Sequence, residues 1–344
     1  MSSYDHKPHA MYAVCGIYLT CANYAHVEKG IAMRDVLKRF QVLGTADIKC
    51  IALIVMLIDH IGYLFDIQWC RVVGRLGFPL FVFAFVVGWQ HTHDRAKYFI
   101  RLCKWAIIAQ VPFSIMKGLG EGPDQFSIVP VMPGAIMAVL IIAAWIGYDV
   151  FVGKRSFEKH ELQGMGVVAA MMLLPVLQFV FYIKHVPIQT FSHKTNAIYT
   201  MAIGAIGLYF GHMALDDGLF VIKRMFAAAL VVMFTCSYGL YCDYTLIGLL
   251  LIWGMGYVAR RISMDLFGPA CAAVTLAWQF IAVFFLYGMN VSYIVSVLVG
   301  CGILCCYNDR KGAPSPVVKR FNYMFYPVHM LALSAICILV RLFS

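Results

Sequence analysis

DIKCIALIVMLIDHIGYLFD, residues 47–66, is the stretch on which the fold turns. About 20 consecutive, largely apolar residues are what a hydrocarbon core roughly 30 Å thick asks of a helix. Yet Asp59 and His60 stand side by side well inside the run. A charged side chain at the centre of a spanning helix costs about 2.5–3.5 kcal/mol on insertion scales, and such residues face the bundle interior and carry function there. The blander reading is a polar pair that merely locks one helix to its neighbours. The rest of the chain decides between the two.

Composition settles the class. The 344 residues are 62% hydrophobic and only 13% charged, whereas a soluble domain is nearer half apolar and a quarter charged. The chain reads as an all-α, polytopic transmembrane helix bundle. Its formal charge of +10 comes from 27 Lys and Arg against 17 Asp and Glu. No zinc finger, aromatic RNA-binding signature or long basic run accompanies that charge, so nucleic acid is not the implied partner. The excess belongs to cytoplasmic loops facing a lipid bilayer. Of twelve cysteines, most lie in apolar runs (Cys50, Cys103, Cys236, Cys271, Cys337) and behave as small buried hydrophobes. No C-x-x-C occurs, and neither a disulfide framework nor a metal site is expected. Residues 1–46 form an N-terminal arm whose patch AMYAVCGIYLTCANYA suits a short interfacial helix better than a cleaved signal.

Apolar runs separated by charged or Gly/Pro-containing joints give about eleven spans, near 47–66, 71–90, 98–117, 128–152, 164–184, 196–215, 223–241, 243–260, 266–287, 290–307 and 320–340. The basic joints are the N-terminal arm, HTHDRAK at 91–97, GKRSFEKH at 153–160, ARRIS at 259–263 and NDRKGAPSPVVKR at 308–320. With eleven spans all five fall on one side, which makes the chain N-in and C-out. Asp59 and His60 then occupy the outer half of the first span, at a depth shared by Arg75 and Asp243. His329 sits about a third of the way into the last span from the inner side.

Adjacent helical residues project about 100° apart, so Asp59 and His60 do not face one another. A carboxylate that orients His60 must come from another span, and Asp243 is the best candidate by depth. Asp59 more naturally neutralises an arginine, and Arg71 and Arg75, four apart, share a helix face. His91 and His93 stand two apart in a basic loop and would not share a face, which disfavours metal binding. The glycines at 204, 207 and 211 suit close helix packing.

Read in order, several blocks resemble the TraX family, membrane acyltransferases of the F-pilin acetylase type. They are IKCIALIVMLIDHIGYLF, RVVGRLGFPLFVFAF, HTHDRAKYFIRLCKWAIIAQVPF, NAIYTMAIGAIGLYF, DYTLIGLLLIWGMGYVARR, then YNDRKG leading into FNYMFYPVHMLAL. The first block and the terminal FYPVH carry the most weight. The chain departs from the family pattern at Thr245, where a glycine usually follows the Asp-Tyr pair. Residues 1–45 and 118–190 look like additions to it, the second an insertion within a single transmembrane domain spanning 47–344.

The resemblance implies acetyl transfer from cytoplasmic acetyl-CoA to the amino terminus of a membrane-borne, pilin-like subunit in a conjugation setting, by a multi-pass protein of the inner (plasma) membrane. The residues suit that chemistry on their own account. An α-amino group, with pKa about 7.7–8.0, is largely protonated at neutral pH and needs a base, and histidine is the side chain best suited to serve. His60 is that candidate base, or alternatively a nucleophile that carries the acetyl group. Asp59 and Asp243 balance charge about it, and Arg75 is the candidate stabiliser of the oxyanion. Coenzyme A phosphates need cations on the inner face, which Arg95, Lys97, Arg101 and Arg320 supply. Pro327 can kink the last span beside His329, a polar contact for the donor or a second base. An O-acyltransferase acting on a glycan or lipid, or a proton-coupled secondary transporter, are the alternatives. Against transport, no inverted repeat or matched pair of broken helices is evident.

Overall fold

A computed structural model describes residues 38–121, 140, 158–183, 194–219, 221–239, 242–282, 291–310 and 316–343. Apart from residue 140, the expected span at 128–152 lies outside them, as does the apolar patch of the N-terminal arm. Among the described residues the protein is all-helical, with two isolated bridges in place of any strand. In chain order the helices are α1 Thr45–Leu64, α2 Gln68–Gly74, α3 Gly77–Gln90, α4 Arg95–Glu121 and α5 Lys159–Ile183. They continue as α6 Ala197–Ala214, α7 Val221–Tyr238, α8 Thr245–Arg261, α9 Met264–Ala282, α10 Val291–Cys305 and α11 Pro316–Phe343.

Among the described residues, four helical stretches are long and apolar enough to cross a membrane: Gln68–Gln90, Arg95–Gly120, Ala197–Ala214 and Phe321–Phe343. Glu161–Val176, Leu266–Ile281 and Ile294–Cys305 are apolar but shorter. The protein is therefore a helical membrane protein. Its outward faces carry the side chains lipid requires, such as Phe321, Met324, Val328 and Leu331 along α11.

α1 is central to the packing, touching α2, α3, α4 and α11. Its start is fixed by Asp47, whose carboxylate accepts the Gly44 N–H at 2.8 Å within the first turn, where negative charge suits the helix dipole. The chain ahead of it is held by the segment after α10: Leu43 N donates to Cys306 O at 2.9 Å, and Thr45 N to Arg310 O at 2.9 Å. Its far end stops at Asp66, which takes the left-handed conformation (φ 53°) and turns the chain back. Two glycines then allow α2 to lie against α1. A Cβ on Gly62 would meet Cys70 and the Ile67 carbonyl, and one on Gly74 would overlap the Asp59 carboxylate. Gly74→Ala is expected to cost about 1–3 kcal/mol, the usual penalty for overpacking. Thermal unfolding in detergent checks this; a melting temperature equal to that of the wild type counts against the close approach.

The second apolar run, expected as one helix, is broken between α2 and α3. Pro79 has no N–H to offer the Arg75 carbonyl four residues back, and its ring crowds that carbonyl. The chain tightens there instead, Arg75 N bonding Val72 O and Leu76 N bonding Val73 O, both three residues back. Arg75 thus sits at a joint and not inside a straight span.

A second fixed point joins the starts of α6 and α8. Asp243 N donates to Thr195 O at 2.9 Å. Asn196 caps α6 by accepting the Tyr199 N–H, and its amide donates to Gln110 Oε1 and Ala106 O of α4, both at 2.8 Å. This buried network registers α4 against α6 and brings the end of α4 beside Asp243.

Candidate active site

His60 faces α11, where His329 meets it. The His60 Nδ1 to His329 Nε2 distance is 2.7 Å, and the rings are nearly parallel, 8° apart. His329 is buried, and its Nδ1 lies 2.6 Å from the Phe325 carbonyl one turn earlier. These partners assign the protons. A carbonyl only accepts, so His329 Nδ1 carries a hydrogen and, with both rings neutral, Nε2 is the acceptor. His60 Nδ1–H must then donate to it, which leaves the lone pair on His60 Nε2. The tautomer of a proton-accepting imidazole is thus set through two hydrogen bonds ending on a main-chain oxygen. Tyr326 sets its ring edge against both imidazoles, with centroids 6.5 Å from His60 and 6.0 Å from His329. Its hydroxyl accepts the Ala197 N–H of α6 at 3.3 Å.

Asp59 projects the other way, as the helix angle requires. Arg71 Nη1 stands 2.7 Å from its Oδ1 and also reaches its main-chain oxygen at 3.4 Å. Asp59, Gly74 and Arg75 line a small cleft with Phe78, Tyr244, Trp278 and Gln279. Phe78 and Tyr244 stack at 3.5 Å between centroids, giving the cleft an aromatic wall. His60 does not line it.

Asp243 corrects one expectation. It does not orient His60; its Oδ1 pairs with Lys117 Nζ at 3.3 Å. The physical reason is its anchoring by Thr195, which holds it near the end of α4 while α11 fills the space beside His60. Lys117 also lies over the Tyr63 ring (4.7 Å to the centroid), and Arg71 over the same ring (5.1 Å). The Tyr63 hydroxyl donates to Lys117 O at 3.0 Å. Asp59, Arg71, Arg75, Lys117 and Asp243 therefore form one electrostatic group alongside the histidines.

The expected donor-binding cations lie toward the opposite end of the bundle. Arg95 covers Trp89 at 5.7 Å, and Lys97 pairs with Asp94 at 3.0 Å. The Lys97 N–H and ammonium hold the exposed Asp94 carboxyl below its usual range. Arg101 is the one of these three that leads toward the histidines. Its guanidinium lies over Tyr98 (5.2 Å) and Tyr323 (5.8 Å), and Trp105 stacks on Tyr323. Tyr323 precedes His329 by six residues, about 9 Å along a helix. The side chain of Arg320 lies outside the described residues.

Lys117 and Tyr326 escaped the reading of the sequence. Lys117 ends an apolar run and looks like an ordinary flanking charge. Tyr326 is legible in hindsight, because in FYPVH it stands three residues before His329 and so shares its helix face.

The sequence model of one family, described as TraX protein, matches residues 45–193 and 178–337. The region 118–190, read as an insertion, falls within these limits. Protein TraX of Escherichia coli is 38% identical over 69 residues, 19% of this chain and 28% of that protein. The probable fimbrial assembly protein FimC, serogroup H1, of Dichelobacter nodosus is 41% identical over 75 residues, 20% of this chain and 31% of that protein. The matched segments thus span under a third of each curated relative. No solved structure matches.

Proposed function

The chain belongs to the TraX family, and from that premise we propose that it is a multi-pass inner-membrane N-acetyltransferase, moving an acetyl group from cytoplasmic acetyl-CoA to the amino terminus of a pilin-like subunit. The observation that carries this reading is the hydrogen-bonded line from Phe325 O through His329 to His60, which leaves the His60 Nε2 lone pair to take a proton. The amine nitrogen attacks the thioester carbonyl while His60 Nε2 removes its proton. The C–N bond forms, the C–S bond breaks, and the departing thiolate recovers the proton from His60. Transfer by way of an acetyl-histidine would use the same lone pair.

Further support comes from the relative named for fimbrial assembly. Arg101, on α4, lies over Tyr323 of the helix that carries His329 and offers the donor's phosphates a cation there. Arg101→Ala is expected to raise the KM for acetyl-CoA about tenfold, the equivalent of roughly 1.4 kcal/mol, with kcat little changed. An unaltered KM would remove Arg101 from the donor site.

The decisive assay gives purified protein in detergent labelled acetyl-CoA and a pilin-like amino-terminal peptide. Label on the peptide's α-amino group supports the proposal. Label confined to sugar or lipid hydroxyls would move the acceptor to the O-acyl class, and no transfer to any acceptor would overturn the reading altogether.

A further inference from the structure

We propose that Tyr326 donates its phenolic O–H to the acetyl carbonyl oxygen as negative charge gathers there, completing a three-residue site with His60 and His329. This rests on acetyl transfer at His60 and assigns the oxyanion contact to a residue other than Arg75. Four observations carry it. Tyr326 and His329, three apart on α11, present one face, and the Tyr326 ring edge meets both imidazoles. The Tyr326 side chain is buried, so a bond it makes is not diluted by water. Its oxygen already accepts the Ala197 N–H from the first turn of α6. An incoming hydrogen bond of that kind strengthens an O–H as a donor, because neighbouring bonds polarise one another. Its own proton makes no hydrogen bond among the described residues, the neighbouring Asp243 carboxylate being paired with Lys117, so it can be given to a substrate oxygen.

Arg75, by contrast, lines the Asp59 cleft that His60 does not share. The angle between neighbours on α1 points His60 toward α11 and Asp59 toward that cleft. On the His60 side of α1 it is Tyr326 that packs against the imidazole.

The step balances without an added reagent. As the amine adds to the thioester carbon, the carbonyl π pair moves to oxygen, where the Tyr326 O–H hydrogen-bonds it. The proton stays on the phenol. Collapse restores the C=O and expels the thiolate, which leaves with the proton held on His60.

The test compares wild type, His60→Ala and Tyr326→Phe with labelled acetyl-CoA and the amino-terminal peptide, alongside thermal unfolding in the same detergent. Tyr326→Phe is expected to lower kcat by about 10²–10³, as loss of one oxyanion donor does, with the KM for acetyl-CoA within a factor of about 3. A kcat within a factor of about 3 of wild type overturns the proposal while leaving the transferase reading intact. A wild type inactive toward every acceptor overturns both. If Tyr326→Phe unfolds, a more acidic fluorinated tyrosine at the same position decides, since its size is nearly unchanged. A donor role moves the high-pH loss of kcat to lower pH, and an unmoved profile overturns the proposal.

Discussion

Replacing His60 with alanine is expected to lower kcat for acetyl transfer about 10²- to 10⁴-fold, the range a positioned general base contributes. The protein itself should survive the change. His60 is only partly buried, and its loss leaves a single acceptor, His329 Nε2, without a partner, at a cost of about 1–3 kcal/mol. The split between a large rate effect and a modest stability effect distinguishes a base from a helix lock. A His60→Ala enzyme that keeps its rate and melts far earlier would place the histidine pair among structural contacts. His329 supplies the finer comparison. Its task is to accept from His60 Nδ1, so His329→Gln, whose amide oxygen can accept, is expected to retain more rate than His329→Phe. Equal losses in the two variants would count against the tautomer assigned above.

Asp59 carries the largest expected effect on stability. Its partner Arg71 is 19% exposed and Asp59 17%. Among the described residues, Asp59→Ala leaves the guanidinium a main-chain oxygen and the Tyr63 ring. Breaking a buried pair this way costs about 3–5 kcal/mol, and the residual exposure points to the lower end. Removing both charges, as Asp59→Leu with Arg71→Met, should recover most of the loss, because no buried charge is then left alone. The measurement is chemical or thermal unfolding of the single and double variants, with transfer rate scaled to folded protein. Asp59→Ala with near-normal stability and a lost rate would make Asp59 a participant in the chemistry.

Much of this was legible from the sequence, and particular residues show why. The run at 47–66 became α1 because length and apolarity are local properties. The divergence of Asp59 and His60 followed from helix geometry alone, and the cleft on one side and α11 on the other bear it out. What depth could not supply was rotation. Asp243 and His60 were placed at a similar level, but a shared level says nothing about which way a helix start is turned. A main-chain bond to Thr195 turns Asp243 toward Lys117, and that bond joins residues 48 apart in sequence. The break at Arg75 was local, needing only the observation that Pro79 stands four residues beyond it. Tyr326 needed the structure to find α6, since its meaning comes from the Ala197 N–H it receives.

The main-chain oxygen at the end of the histidine line has one more consequence. A proton taken up at His60 Nε2 can be handed inward as far as His329, but Phe325 O cannot release one onward. The line is a cul-de-sac and not a wire. Whatever proton enters this line at His60 Nε2 therefore leaves by the same atom, so the line stores a proton and does not conduct one.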